Sequence, residues 1–159
     1  MTIPYSPDEP LAPLLQKLEH FCAYQERCAL EVRQKLSEWK VPVAKAYVII
    51  QHLKENGFLD DARFARIFAG GKFRHNKWGR VKIRYELKRR HIPEEIISKA
   101  LDVISDEEYM KTIRELILKK RQEIKEGKNL NIREKIITFV IGKGFEFDPV
   151  AEVLKELKI

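Results

Sequence analysis

Only two cysteines occur in the 159 residues, Cys22 and Cys28, and they form no CxxC pair. That spacing excludes a zinc knuckle or a redox motif, and a reducing compartment argues against a disulfide between them. Cys22 reads as a small apolar filler and Cys28 as a helix-start residue. The four histidines, His20, His52, His75 and His91, stand alone, with no second ligand at helical spacing, so no metal site is expected. Glycine-rich phosphate loops are missing: Gly70-Gly71 is no Walker sequence, and Gly142-Lys143-Gly144 lacks the matching lead. No cofactor is expected. No apolar run approaches the roughly 18 residues that cross a bilayer. The opening MTIPYSPDEP has neither the basic stretch nor the apolar core of a signal peptide. The sequence therefore points to the cytosol. No Gly/Ser/Pro-rich linker divides the chain, and strand-like alternation is nowhere sustained. With 35% charged and 44% hydrophobic residues, the composition suits a folded, highly charged helical protein.

The positive charge is concentrated. Lys72 to Arg90 reads KFRHNKWGRVKIRYELKRR, with nine basic residues and a single acid, Glu86. The rest of the chain holds 22 of the 31 basic and 23 of the 24 acidic residues, so it is nearly neutral. A local block of one sign repels itself unless a counter-charge arrives, and nucleic acid is the commonest such partner. Lys72, Arg74, Lys77, Arg80, Lys82, Arg84, Lys88, Arg89 and Arg90 are the candidate phosphate contacts. Aromatic residues Phe73, Trp78 and Tyr85 interleave with them and offer stacking surfaces. On a helix from about 79 to 90, Ile83 and Leu87 point inward. Tyr85 then lies opposite, with Lys82, Lys88 and Arg89 within about 60° of it. Trp78 fits either a stacking role or a core plug at the helix start. The plain alternative for the whole block is a solvated helix surface.

Beyond the first ten residues the apolar spacing is helical nearly throughout, and it repeats. Val32–Pro42 matches Ile83–Pro93 at a shift of 51 residues, and Ile136–Glu146 follows at a further 53. Val41, Ile92 and Phe145 correspond, each followed by a second apolar helix face. Pro42 and Pro93 fit the first helical position, where a missing N–H does no harm. Asn56-Gly57 reads as a helix end. Asp60 can cap the next helix with Asp61 near its positive pole, and Leu59 and Phe64 stand at the places of a hydrophobic staple. Ser105 and Glu108 form a capping box, with Ile104 and Tyr109 at the same staple places. Dividing the chain at these starts gives three three-helix units, 11–56, 60–104 and 106–157. A period near 50 residues predicts an all-α tandem array, elongated and curved, suited to extended partners. Asp60-Asp61 is the one carboxylate pair in an ordered turn, and its capping role leaves nothing for catalysis. No catalytic residue is expected.

These residues resemble the RecX family over about 11 to 157. Gly57-Phe58-Leu59-Asp60-Asp61-Ala62-Arg63-Phe64-Ala65 is similar to the family's G-[YF]-L-D-D-x-R-F-A segment. Trp78-Gly79-Arg80-Val81-Lys82-Ile83, with Glu86-Leu87 and His91-Ile92, resembles its G-x-x-[KR]-I-x-x-E-L-x-x-[KR]-G-I run. Arg27-Cys28-Ala29-Leu30-Glu31-Val32 resembles R-S-x-x-E-[LV], and Lys143-Gly144-Phe145 resembles the terminal R-G-F. The chain departs from the pattern at three places. Cys28 stands where serine is usual, which weakens that cap. His91 stands where glycine is usual, in a turn that calls for left-handed backbone. Asn131 sits one place off the expected cap. The resemblance implies a monomeric, non-enzymatic regulator of the RecA recombinase. Such a regulator binds RecA and its DNA filament and restrains recombinase, ATPase and co-protease activities in DNA repair, recombination and the SOS response. A helical DNA-binding protein that ignores RecA is the alternative, although no turn here singles out one recognition helix.

Overall fold

A computed structural model describes residues 11–124 and 131–159. Among them are nine helices and no strand. They run α1 Leu11–Tyr24, α2 Ala29–Glu38, α3 Val43–Glu55, α4 Asp61–Asn76, α5 Arg80–Arg89, α6 Glu94–Leu101, α7 Asp106–Glu123, α8 Ile132–Gly142 and α9 Phe147–Glu156. The principal pairings fall within successive triplets: α2 with α3, α4 with α5 and α6, α5 with α6, α7 with α8 and α9, and α8 with α9. Each helix buries residues three or four apart, such as Leu14, Leu18 and Cys22 on α1 or Ile83 and Leu87 on α5. A stripe of that spacing needs a neighbour to cover it.

The turn between second and third helix is built alike in each triplet. Lys40, His91 and Gly144 have positive φ, at 58°, 58° and 93°, and occupy equivalent places in the repeat. The Val41 and Ile92 N–H groups reach back to the Leu36 and Leu87 carbonyls at 3.0 and 3.2 Å, closing the helices with Schellman turns. Only glycine enters that left-handed region without strain. His91→Gly is therefore expected to stabilise the protein by about 0.5–1 kcal/mol, seen as a higher thermal midpoint.

Pro42 and Pro93 sit one residue earlier than the sequence suggested. They are the N-caps of α3 and α6, not their first helical residues. Their ψ values of 145° and 146° are extended, and their carbonyls accept the Ala46 and Ile97 N–H groups at 2.9 and 3.0 Å. Asn131 is the N-cap of α8, without a side-chain cap bond.

Two caps act as the sequence implied. Asp60 accepts the backbone N–H of Arg63 at 3.0 Å, and Ser105 that of Glu108 at 3.1 Å. Asp60→Ala is expected to lower stability by about 0.5–2 kcal/mol and to leave the activity of folded protein intact. A variant of full stability and no activity would contradict a purely capping role. At Cys28 the Glu31 carboxylate accepts the backbone N–H at 3.0 Å.

The triplets do not each own a core. Leu14, Leu18, Val32, Leu36, Ile49, Leu53 and Leu59 form one cluster within α1–α3 and the turn after them. A second cluster runs through α4–α9, joining Phe64, Ile83 and Ile97 to Ile113, Ile136, Phe145 and Val150. Leu59 and Phe64 therefore serve different cores, and the staple expected of them is not the arrangement found. The two free thiols divide the same way. Cys22 lies in the first core, where burial pushes its pKa up to about 11, and Cys28 lies in the second.

Candidate nucleic-acid interface

The basic block spans the last turn of α4, a sharp link and all of α5. Lys77 closes α4 in left-handed backbone, and Gly79 is the N-cap of α5. Ile83 and Leu87 are fully buried, which orients the helix and turns Tyr85 outward, 60% exposed. Phe73 offers no stacking surface. It is buried and packs on Tyr109, ring centres 5.9 Å apart.

Trp78 packs into the core and also meets cations. It is half-buried against the second core and meets Phe68 edge-on at 6.4 Å. Its ring is also flanked by two ammonium groups, Lys72 at 4.9 Å and Lys82 at 4.4 Å. Lys82 thus belongs with Trp78.

The remaining cations separate into two groups. Around Tyr85 each has an acid. Arg84 and Lys88 pair with Glu94, Lys88 at 3.3 Å. Arg89 and Arg90 pair with Glu86 at 3.5 and 3.0 Å, and the Arg90 hydrogen bond is the main reason the Glu86 carboxyl titrates below its usual range. Arg89 also lies 5.8 Å over the Tyr85 ring. By contrast, Lys72 and Lys82 beside Trp78, and Arg74 and Lys77 at the end of α4, form no ion pair among the described residues. The uncompensated charge therefore lies at the link between α4 and α5.

Arg80 faces inward. It donates to the Ile104 carbonyl at 3.0 Å and to Asp106 at 2.9 Å, and its guanidinium lies 4.2 Å over the Tyr109 ring. The Tyr109 hydroxyl accepts the Arg80 backbone N–H at 3.0 Å and donates to Glu146 at 2.5 Å. Burial, with Glu146 beside it, raises the hydroxyl's pKa, so it remains a donor. Next to it the Gly79 N–H reaches the Lys143 carbonyl at 2.8 Å and the Val81 N–H the Gly144 carbonyl at 3.0 Å. A Cβ on Gly79 would stand 2.2 Å from the Gly144 oxygen. Two glycine motifs far apart in sequence thus interlock the second and third triplets.

The stretch from Gly57 to Phe64 forms the corresponding joint to the first triplet. Arg63 pairs with Glu26 at 2.8 Å and donates to the Gly57 carbonyl at 3.1 Å. Asp61 accepts the N–H of Ala29, at the start of α2, at 3.3 Å. Local reading assigns Asp61 only a place near its own helix pole. Its partner is 32 residues away and carries no local signal.

No group of three His, Cys, Asp or Glu side chains among the described residues could hold a metal ion, and no described helix is long and apolar enough to cross a membrane. Fold and interface together define a tandem helical-repeat protein with a cationic centre. Residues 60–101 match the family model described as RecX, second three-helix domain. Regulatory protein RecX of Clostridium acetobutylicum is 35% identical over 131 residues, 80% of this chain and 60% of that protein. Regulatory protein RecX of Chlorobium phaeobacteroides is 29% identical over 133 residues, 84% of this chain and 85% of that one. The crystal structure of RecX from Lactobacillus salivarius superposes with a TM-score of 0.83 at 21% identity, covering 93% of this chain and 96% of that one, and so shares the fold. Over most of its length the chain thus resembles proteins of the RecX family, and its residues 60–101 match that family's second three-helix domain. These relatives are named regulatory proteins, not enzymes. The chain spans 60% of the length of the clostridial relative.

Proposed function

We propose that this protein is a non-enzymatic, cytosolic regulator of RecA that binds RecA and its DNA filament and restrains recombinase, ATPase and co-protease activities. Similarity to the RecX regulatory proteins supports RecA as the partner. The unpaired cations around Trp78 are the observation that supports a DNA-bearing partner. In this reading the chain acts as a monomer of three units, 11–56, 60–104 and 106–157. The middle unit faces the DNA while the flanking units touch neighbouring RecA subunits. Several weak contacts on one scaffold add through effective concentration when their geometry matches the filament.

The test is RecA ATPase activity as DNA is raised at fixed RecA and fixed regulator. A filament binder is expected to keep inhibiting once DNA is saturating. Complete relief at modest DNA excess would instead identify a DNA-binding protein that acts without RecA.

A further inference from the structure

The aromatic–cation contact at Trp78 has a counterpart at the equivalent place in the first triplet, and a second such contact is shared by the first and third triplets. At the 51-residue shift, buried Leu14, Leu18 and Cys22 of α1 fall on Ala65, Ala69 and Phe73 of α4. In that register Phe21 corresponds to Lys72 and Arg27 to Trp78. The Arg27 guanidinium lies 4.1 Å over the Phe21 ring, just as the Lys72 ammonium lies 4.9 Å from Trp78. The two residue types have exchanged places while the contact persists. A second exchange links the first and third triplets. Lys35 lies 5.7 Å over Trp39, and at the equivalent places Lys143 lies 5.7 Å over Phe139. These pairs are half-buried, and each contributes about 0.5–2 kcal/mol to folding. The same arrangement, a flat apolar face beside a positive charge, also suits a ligand that needs both.

The first triplet offers such a place. A groove of about 380 Å³ is lined by Lys17, His20, Phe21, Tyr24 and Trp39, and Tyr24 is 81% exposed. Among the described residues, Glu19 turns toward His52, Glu26 toward Arg63 and Glu31 toward the Cys28 N–H. Glu38 meets Lys35 at 3.4 Å, an exposed pair that a phosphate can displace. An acidic peptide would use the cations and leave the aromatic slot empty. A duplex keeps its base faces stacked internally. An unpaired nucleotide uses both features. We propose that the groove of Phe21, Tyr24 and Trp39 is a stacking site for an unpaired base of a single-stranded nucleic acid, one of a series recurring at Trp78 and Phe139. The inference rests on the reading that the chain binds nucleic acid.

Trp39 and Trp78 are the two tryptophans of the chain, which makes each site separately visible. Trp78→Phe leaves Trp39 as sole reporter, and Trp39→Phe leaves Trp78. Each is titrated with oligothymidylate, a duplex of equal length, and polyglutamate, while anisotropy of a labelled strand reports binding. Oligothymidylate is expected to quench Trp39 emission, and the duplex and polyglutamate are not. Tyr24→Ala, at an exposed position, is expected to weaken single-strand binding roughly tenfold, as loss of one stacked base does. Strand binding that quenches Trp78 but leaves Trp39 unchanged, with Tyr24→Ala indifferent, overturns this inference and spares the nucleic-acid reading. Equal quenching by polyglutamate overturns it in favour of an acidic peptide. Absence of strand binding by anisotropy removes the nucleic-acid reading and this site with it.

Discussion

Replacing Lys72, Lys77 and Lys82 together with glutamine is expected to weaken binding to a mixed-sequence oligonucleotide by about two orders of magnitude at moderate salt. Each phosphate contact contributes nearly one unit to the slope of log affinity against log salt, through release of a condensed counterion. Losing three should flatten that slope by about 2.7. Lys88→Gln with Arg89→Gln is expected to flatten it by well under about 0.9 unit per residue, the value of a full contact. Those two cations already face Glu94 and Glu86 at 3.3 and 3.5 Å. A phosphate must displace a carboxylate before it gains the contact. A salt slope unchanged in the triple variant would mean that the Trp78 face meets no nucleic acid.

Gly79→Ala is expected to cost about 2–4 kcal/mol, read as a lower denaturant midpoint. The new methyl group would meet backbone, at 2.2 Å from the Gly144 oxygen and 2.4 Å from the Phe145 nitrogen, so no side chain can rotate away. Relief requires α5 to separate from the turn at 143–144. That strains the packing and breaks the two hydrogen bonds from Gly79 and Val81. Gly71→Ala is the control. Gly71 lies inside α4, and a Cβ there meets nothing within 4 Å. That substitution is expected to stabilise by about 0.5–1 kcal/mol, the usual difference between alanine and glycine in a helix. If both variants lost stability equally, the interlock would not be the cause.

What the sequence revealed was local. Helix starts at Asp60 and Ser105, and the left-handed residue at His91, depend on neighbours a few places away, so their signals lie together in the chain. The inward turn of Ile83 and Leu87 followed from 3.6-residue spacing alone. The partners of the basic block did not. Glu94, which holds Arg84 and Lys88, belongs to the next helix. Arg80 looks like its cationic neighbours in sequence, yet Asp106 and Tyr109 draw it into the joint. The glycines at 79 and 144 stood out through family resemblance, but their mutual contact exists only in three dimensions. The split into two cores was equally hidden, because a regular repeat gives no hint of which neighbours fuse.

That split has a consequence for how the molecule opens. A chain with two separate cores has two cooperative units, and amide exchange in α1–α3 can proceed while α4–α9 stays closed. Arg63–Glu26, partly exposed on both sides, bridges these foldons beside Cys28 and Leu30, which pack into the second core. Exposed ion pairs weaken as salt screens them. Ionic strength therefore acts on the joint between the two units as well as on any phosphate contact: in the proposed reading, the condition that weakens strand binding also loosens one of the units that would carry it.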